Sequence, residues 1–129
     1  MKDNEFIEKI YLKKEEINFI VNQLKQYSFE DYEKPVHYEL SLLSKGTNEE
    51  QLKEIYPKFE WINLIVLRKR KDGYDNYDIY YELDGGNYAL FAIHLEGNKK
   101  PIMNNAFISN TLFKNFLKSI IKRYGNKTI

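Results

Sequence analysis

The sequence predicts an α+β domain: a helical N-terminal half, an antiparallel β-meander of three or more strands, and a C-terminal amphipathic helix packed on that sheet. Three observations predict it. Up to residue 60 the apolar residues recur mostly at helical spacing, from 61 to 96 they alternate, and from 109 to 125 they form one wide helical stripe. No repeat, low-complexity tract or linker divides the 129 residues, so residues 1–129 read as one domain.

The first helix is expected over Lys13 to Tyr27, where Ile17, Ile20, Val21, Leu24 and Tyr27 are spaced three and four apart. Glu15 and Glu16 suit its positive N-terminal end. Phe6, Ile7 and Ile10 either extend this helix backward or lie before a break at Lys13 and Lys14. From Pro35 the text is double. Val36, Tyr38, Leu40 and Leu42 alternate as a strand does, yet Val36, Leu40 and Leu43 make a helical face. Pro35 at a start and Gly46 at a stop favour the helix. "TNEE" (Thr47 to Glu50) has capping-box spacing and opens a short helix, Leu52 to Tyr56, that ends at Pro57.

"WINLIVLRKR" from Trp61 is β-branched and apolar on both faces, as an interior strand is. A turn at Asp72-Gly73 leads to Tyr77, Ile79, Tyr81 and Leu83, which alternate with Asp78, Tyr80, Glu82 and Asp84. "DGGN" is a hairpin signal. Ala89, Phe91, Ile93 and Leu95 then share one face of a third strand, and Tyr88, Leu90, Ala92 and His94 the other. A polar loop after Gly97 is expected to lead to the last helix. Its stripe is Leu112, Phe113, Phe116, Leu117, Ile120, Ile121 and Tyr124, with Ser109, Asn110 or Thr111 as cap and Gly125 at C′.

Composition narrows the function classes. The chain is 43% hydrophobic and 16% aromatic, which is globular rather than disordered. No apolar run approaches the roughly 20 residues that span a bilayer. The charged N-terminus lacks the apolar core of an export signal, so the expected location is the cytoplasm. With no cysteine there is no disulfide, thiolate metal ligand or cysteine nucleophile. The net charge of +1 hides an asymmetry: residues 1–60 carry 9 basic and 13 acidic side chains, residues 61–129 carry 11 and 6. After Glu96 there are seven basic residues and no acid. A basic stretch of this kind complements the dipole of its own helix, or meets an acidic partner or a nucleic-acid backbone.

Motifs of catalysis are missing. Gly85-Gly86 sits between strands and not at a strand-to-helix crossing, so it is no phosphate loop, and no nucleophile elbow occurs. His37 and His94 lack ligand spacing, and no metal or cofactor is expected. Asp72, Asp75 and Asp78 are three apart, unlike the alternate acids of a calcium loop. Nor does a convergent polar set mark a small-ligand pocket.

Two functional readings follow. In the first, the chain is a non-enzymatic protein-binding module, an inhibitor of the immunity-protein, antitoxin or phage anti-defence type. Its partner is another protein, such as a basic toxin or nuclease, met through Asp78, Tyr80, Glu82, Asp84, Tyr88 and His94 on the sheet. In the second, His94 acts with Arg68, Arg70 and Tyr80 as a metal-independent endoribonuclease. In its order of elements the chain resembles small endoribonuclease toxins of the RelE and barnase kinds, and that resemblance implies RNA cleavage by a general base and phosphate-holding cations. Exposed edges of a short meander would also invite pairing between protomers.

Overall fold

The computed structural model describes residues 5–71, 73–97 and 99–128. Five antiparallel strands form one sheet in chain order: β1 (Glu5–Tyr11), β2 (Ile62–Arg70), β3 (Asp75–Glu82), β4 (Asn87–His94) and β5 (Ile102–Leu112). Helices α1 (Lys14–Leu24), α2 (Val36–Lys45) and α3 (Glu49–Ile55) fill the β1–β2 connection, and α4 (Phe113–Tyr124) follows β5. The fold is therefore α+β with an antiparallel sheet and a closing helix.

The expectation of a helical N-terminal half does not hold, because the first element is a strand. Phe6, Ile7 and Ile10 belong to β1, and the chain breaks at Lys13, where α1 begins. The spacing misled for a physical reason: the β1–β2 register shifts between Ile7 and Lys9. One extra residue there turns the period of two into a step of three, so Ile7 and Ile10 point to the same side. The polar loop expected after Gly97 is mostly β5, which runs to Leu112 and passes straight into α4. Ser109, Asn110 and Thr111 are strand residues and cap nothing. Leu112 takes the cap position without a side-chain bond, and Gly125 (φ −58°) continues into a 3₁₀ turn instead of adopting the left-handed conformation of a C′ residue.

Other expectations stand. Val36 to Lys45 is helical and ends at Gly46, whose φ of +62° is open to glycine without a Cβ clash. The cap of α3 is Asn48, which accepts the Glu50 N–H, so the capping residue lies one place after the expected Thr47. Thr47 Oγ1 accepts instead from the Ile108 N–H of β5. At the β2–β3 turn, Gly73 has φ +89°, and its expected partner Asp72 lies outside the described residues.

Each face of the sheet carries a core. On one, α1–α3 pack Ile17, Ile20, Leu24, Tyr38 and Leu52 onto Ile65, Ile79, Tyr81, Phe91 and Met103. On the other, α4 lays Phe113, Phe116, Leu117 and Ile120 over Ile7, Ile10, Leu64, Val66, Tyr80 and Leu90. Both edge strands are partly covered. Residues of α2 run along β5, with Glu33 bridging to Ile102, and Thr128 bridges to Ile10 on β1. No described helix is long and apolar enough to cross a membrane.

Candidate functional site

Strand alternation sends Arg68, Asp78, Tyr80, Tyr88 and His94 to the α4 face of the sheet, as expected. What the alternation does not reveal is that α4 lies on Tyr80 and Tyr88. Phe116 fits between the two tyrosines, its ring centroid 4.8 Å from Tyr80 and 5.0 Å from Tyr88. Each tyrosine is 7% exposed. They meet diagonally, because Tyr80 pairs with Leu90 and Tyr88 with Glu82. The open tyrosine face is thus a packed interior. Asp78 and His94 are buried as well, leaving Glu82 and Asp84 exposed beyond the end of the helix cover. Tyr77 is half-buried, and Tyr81 lies fully inside with its hydroxyl donating to the Tyr56 carbonyl rather than reaching the rim.

Burial of Asp78 is matched by Arg68. The guanidinium donates to both carboxylate oxygens, Nε to Oδ2 at 2.7 Å and Nη2 to Oδ1 at 2.9 Å, and Nη1 donates to Glu5 Oε2 at 3.1 Å. One cation therefore joins β1, β2 and β3. Burial pushes the Asp78 carboxyl above its usual range, against the pull of Arg68 and with a smaller upward push from Glu5.

Beside the end of α4, whose Tyr124 lines it, this trio floors a cleft of about 750 Å³. Asn76, Asn104 and Asn105 line it from β3 and β5, and His37 and Ser41 close it from α2. Asn104 Nδ2 donates to Asn76 Oδ1 at 2.9 Å, and Ser41 Oγ donates to Asn105. Polar groups from five elements do converge, then, contrary to the reading of the sequence. Glu5, Ser41, Asn76, Asn104 and Asn105 were missed because their meeting depends on strand register and on α2 lying along β5. The asparagines in an otherwise uncharged run were the one available signal.

His94 stands apart from this cleft. Its ring stacks on Tyr74 at 4.0 Å, Nδ1 donates to the Asp75 carbonyl at 2.6 Å, and Nε2 faces Glu96 Oε1 at 3.1 Å. Both nitrogens are engaged and the residue is 6% exposed. Arg68 is held by carboxylates, and Arg70 lies over the Tyr74 ring. The structure does not bring His94, Arg68, Arg70 and Tyr80 together around one open point. Among the described residues no group of histidines and carboxylates could hold a metal ion.

The other wall of the cleft leads to an apolar ridge. Tyr38 and Leu42 turn α2 toward the core, which leaves Val36, Leu40 and Leu43 in a row on its outer side, 75%, 59% and 80% exposed. These three made the helical face read from the sequence, and it faces solvent. Exposed acids flank it along the chain, Glu33 before the helix, Glu39 on it, and Glu49 and Glu50 at the start of α3, with Lys45 exposed in its last turn. Glu39, Glu49 and Glu50 also line a neighbouring groove with Phe29, Glu30, Lys34 and Lys53, where Lys53 pairs with Glu30. Tyr38 ties the two helices together by donating to Glu49 Oε2 at 2.8 Å.

The chain matches no protein-family model, no curated protein and no solved structure.

Proposed function

We propose that this protein is a non-enzymatic protein-binding module, an inhibitor of the immunity-protein, antitoxin or anti-defence type, whose partner is a basic protein docked on α2 and the adjoining acidic flank. The observation that carries the proposal is the row Val36, Leu40 and Leu43, solvent-exposed on a helix whose other side is core. Isolated exposed leucines are ordinary, whereas a contiguous apolar row rimmed by charge is typical of an interface. Acids outnumber lysines around it, with Glu33, Glu39, Glu49 and Glu50 against Lys34 and Lys45, which favours a partner of opposite charge and speeds its encounter. His37 and Ser41 continue the ridge into the polar cleft, so a partner seated on α2 also reaches hydrogen-bonding groups. This reading keeps the class of function expected from the sequence and moves its surface from the sheet to α2.

A photo-crosslinking amino acid in place of Leu40 tests it, with the same substitution at Phe19 on α1 (74% exposed) as the control. The expected result is one basic protein captured from the native host through position 40 and not through position 19. Its affinity for the purified chain should fall by about 100-fold in Leu40→Asp/Leu43→Asp, on the order of 3 kcal/mol. Capture through both positions alike, no capture at all, or unchanged affinity in the double variant rejects the proposal.

A further inference from the structure

The charge asymmetry of the sequence becomes a division between the two sides of the sheet. Residues 13–60, which supply the α1–α3 layer, carry seven lysines and ten acids, and all but one of those acids are exposed. On the opposite side α4 carries Lys114, Lys118, Lys122 and Arg123, followed by Lys127, with no acid in the whole segment. All five cations are exposed, and among the described residues none forms an ion pair. Lys114, Lys118 and Lys122 recur every fourth residue, so they climb the helix in steps of about 6 Å along one line. Asn115 and Ser119 are exposed between them.

We propose that the outer face of α4 binds the phosphate backbone of double-stranded nucleic acid without reading its sequence. Lysine, arginine, asparagine and serine are the side chains that contact phosphates. An acidic protein is a poorer fit, because protein interfaces are depleted in lysine and centred on clusters of apolar or aromatic anchors, and beside this line of lysines only Ile121, 43% exposed, could serve as one. No aromatic ring points outward with which to stack an unpaired base, which favours duplex over single strand. The net charge of +1 is no obstacle. Two packed layers, about 10 Å each, separate α4 from the acidic helices, more than the Debye length of roughly 8 Å at physiological salt. This site and the α2 ridge lie on different elements, and neither proposal rests on the other.

Fluorescence anisotropy with a labelled DNA duplex of about 20 base pairs and arbitrary sequence tests the inference. Three or four phosphate contacts predict binding that weakens roughly 40- to 150-fold between about 50 mM and about 200 mM salt. Lys114→Gln/Lys118→Gln/Lys122→Gln should abolish binding at the lower salt with an unchanged thermal midpoint. Lys13→Gln/Lys25→Gln, exposed on the acidic side, should retain it. No binding at the lower salt overturns the proposal, as does binding that survives the triple substitution. Binding to vesicles rich in anionic lipid without binding to the duplex also overturns it, and identifies a membrane surface instead.

Discussion

Arg68 and Asp78 hold each other where neither could stand alone. A carboxylate this deeply buried is tolerable because two guanidinium bonds meet it, and the same pairing fixes Arg68 at the floor of the cleft. Asp78→Ala leaves a half-buried guanidinium facing an empty space, and we expect a loss of about 3 kcal/mol in urea unfolding. Replacing both partners, as in Arg68→Met/Asp78→Leu, should cost much less than the sum of the single changes. Burial raises the Asp78 pKa, so the folded chain binds more protons than the unfolded one as pH rises above the ordinary carboxylate value. The stability tied to this group is complete below that value and is lost as pH rises through the raised one. The advantage of wild type over Asp78→Asn should therefore shrink as pH rises above about 4, read as the difference of their urea midpoints.

At the scale of elements, α4 decides which half of the sheet is core and which is cleft. Phe116 is the side chain through which it grips the meander, touching both Tyr80 and Tyr88. Phe116→Ala should cost about 3 kcal/mol and uncover both phenols, detectable as faster nitration of Tyr80 and Tyr88 in a peptide map. The elements the sequence conceals share a cause. Strands β2, β3 and β4 were legible through β-branched residues and alternation, the one shift between β2 and β3 falling at the start of β2 (Ile62/Leu64), whereas β1 and β5 are shifted inside their apolar pattern. In β5 the shift at Ala92/Ile93 places Met103 and Ala106 in the same core three residues apart, and the asparagines beside them look like loop chemistry. The site fared similarly. Parity assigned Asp78, Tyr80 and Tyr88 to the correct face, but a local period cannot say whether a helix from the far end of the chain lies on it. Val36, Leu40 and Leu43 show the converse. Their helical spacing was read, and only the packing of Tyr38 and Leu42 reveals that they point outward.

Over the whole molecule, buried tyrosines set a limit at high pH. Burial raises the phenols of Tyr32, Tyr38, Tyr80 and Tyr81 far above the ordinary value, and pushes Tyr56 up to about 12. Each is protonated in the folded chain where the unfolded one has begun to ionise, so their contribution is full below about pH 10 and vanishes as pH climbs beyond it. The phenolate absorbance contributed by these five of the eleven tyrosines should therefore appear in one cooperative step above about pH 10, coinciding with loss of the circular-dichroism signal. Ionisation of all eleven phenols before unfolding would show that these rings are open to solvent.

The partly covered edges of the sheet have a consequence for misassembly. A five-stranded sheet rich in tyrosine and isoleucine is a template for cross-β growth, which starts where a strand offers free N–H and C=O groups. Here Glu33 and α2 lie along one margin, and the bridge from Thr128 to Ile10 occupies the other. These guards interrupt the stretch of free edge along which a second chain can pair, and so they slow fibril nucleation.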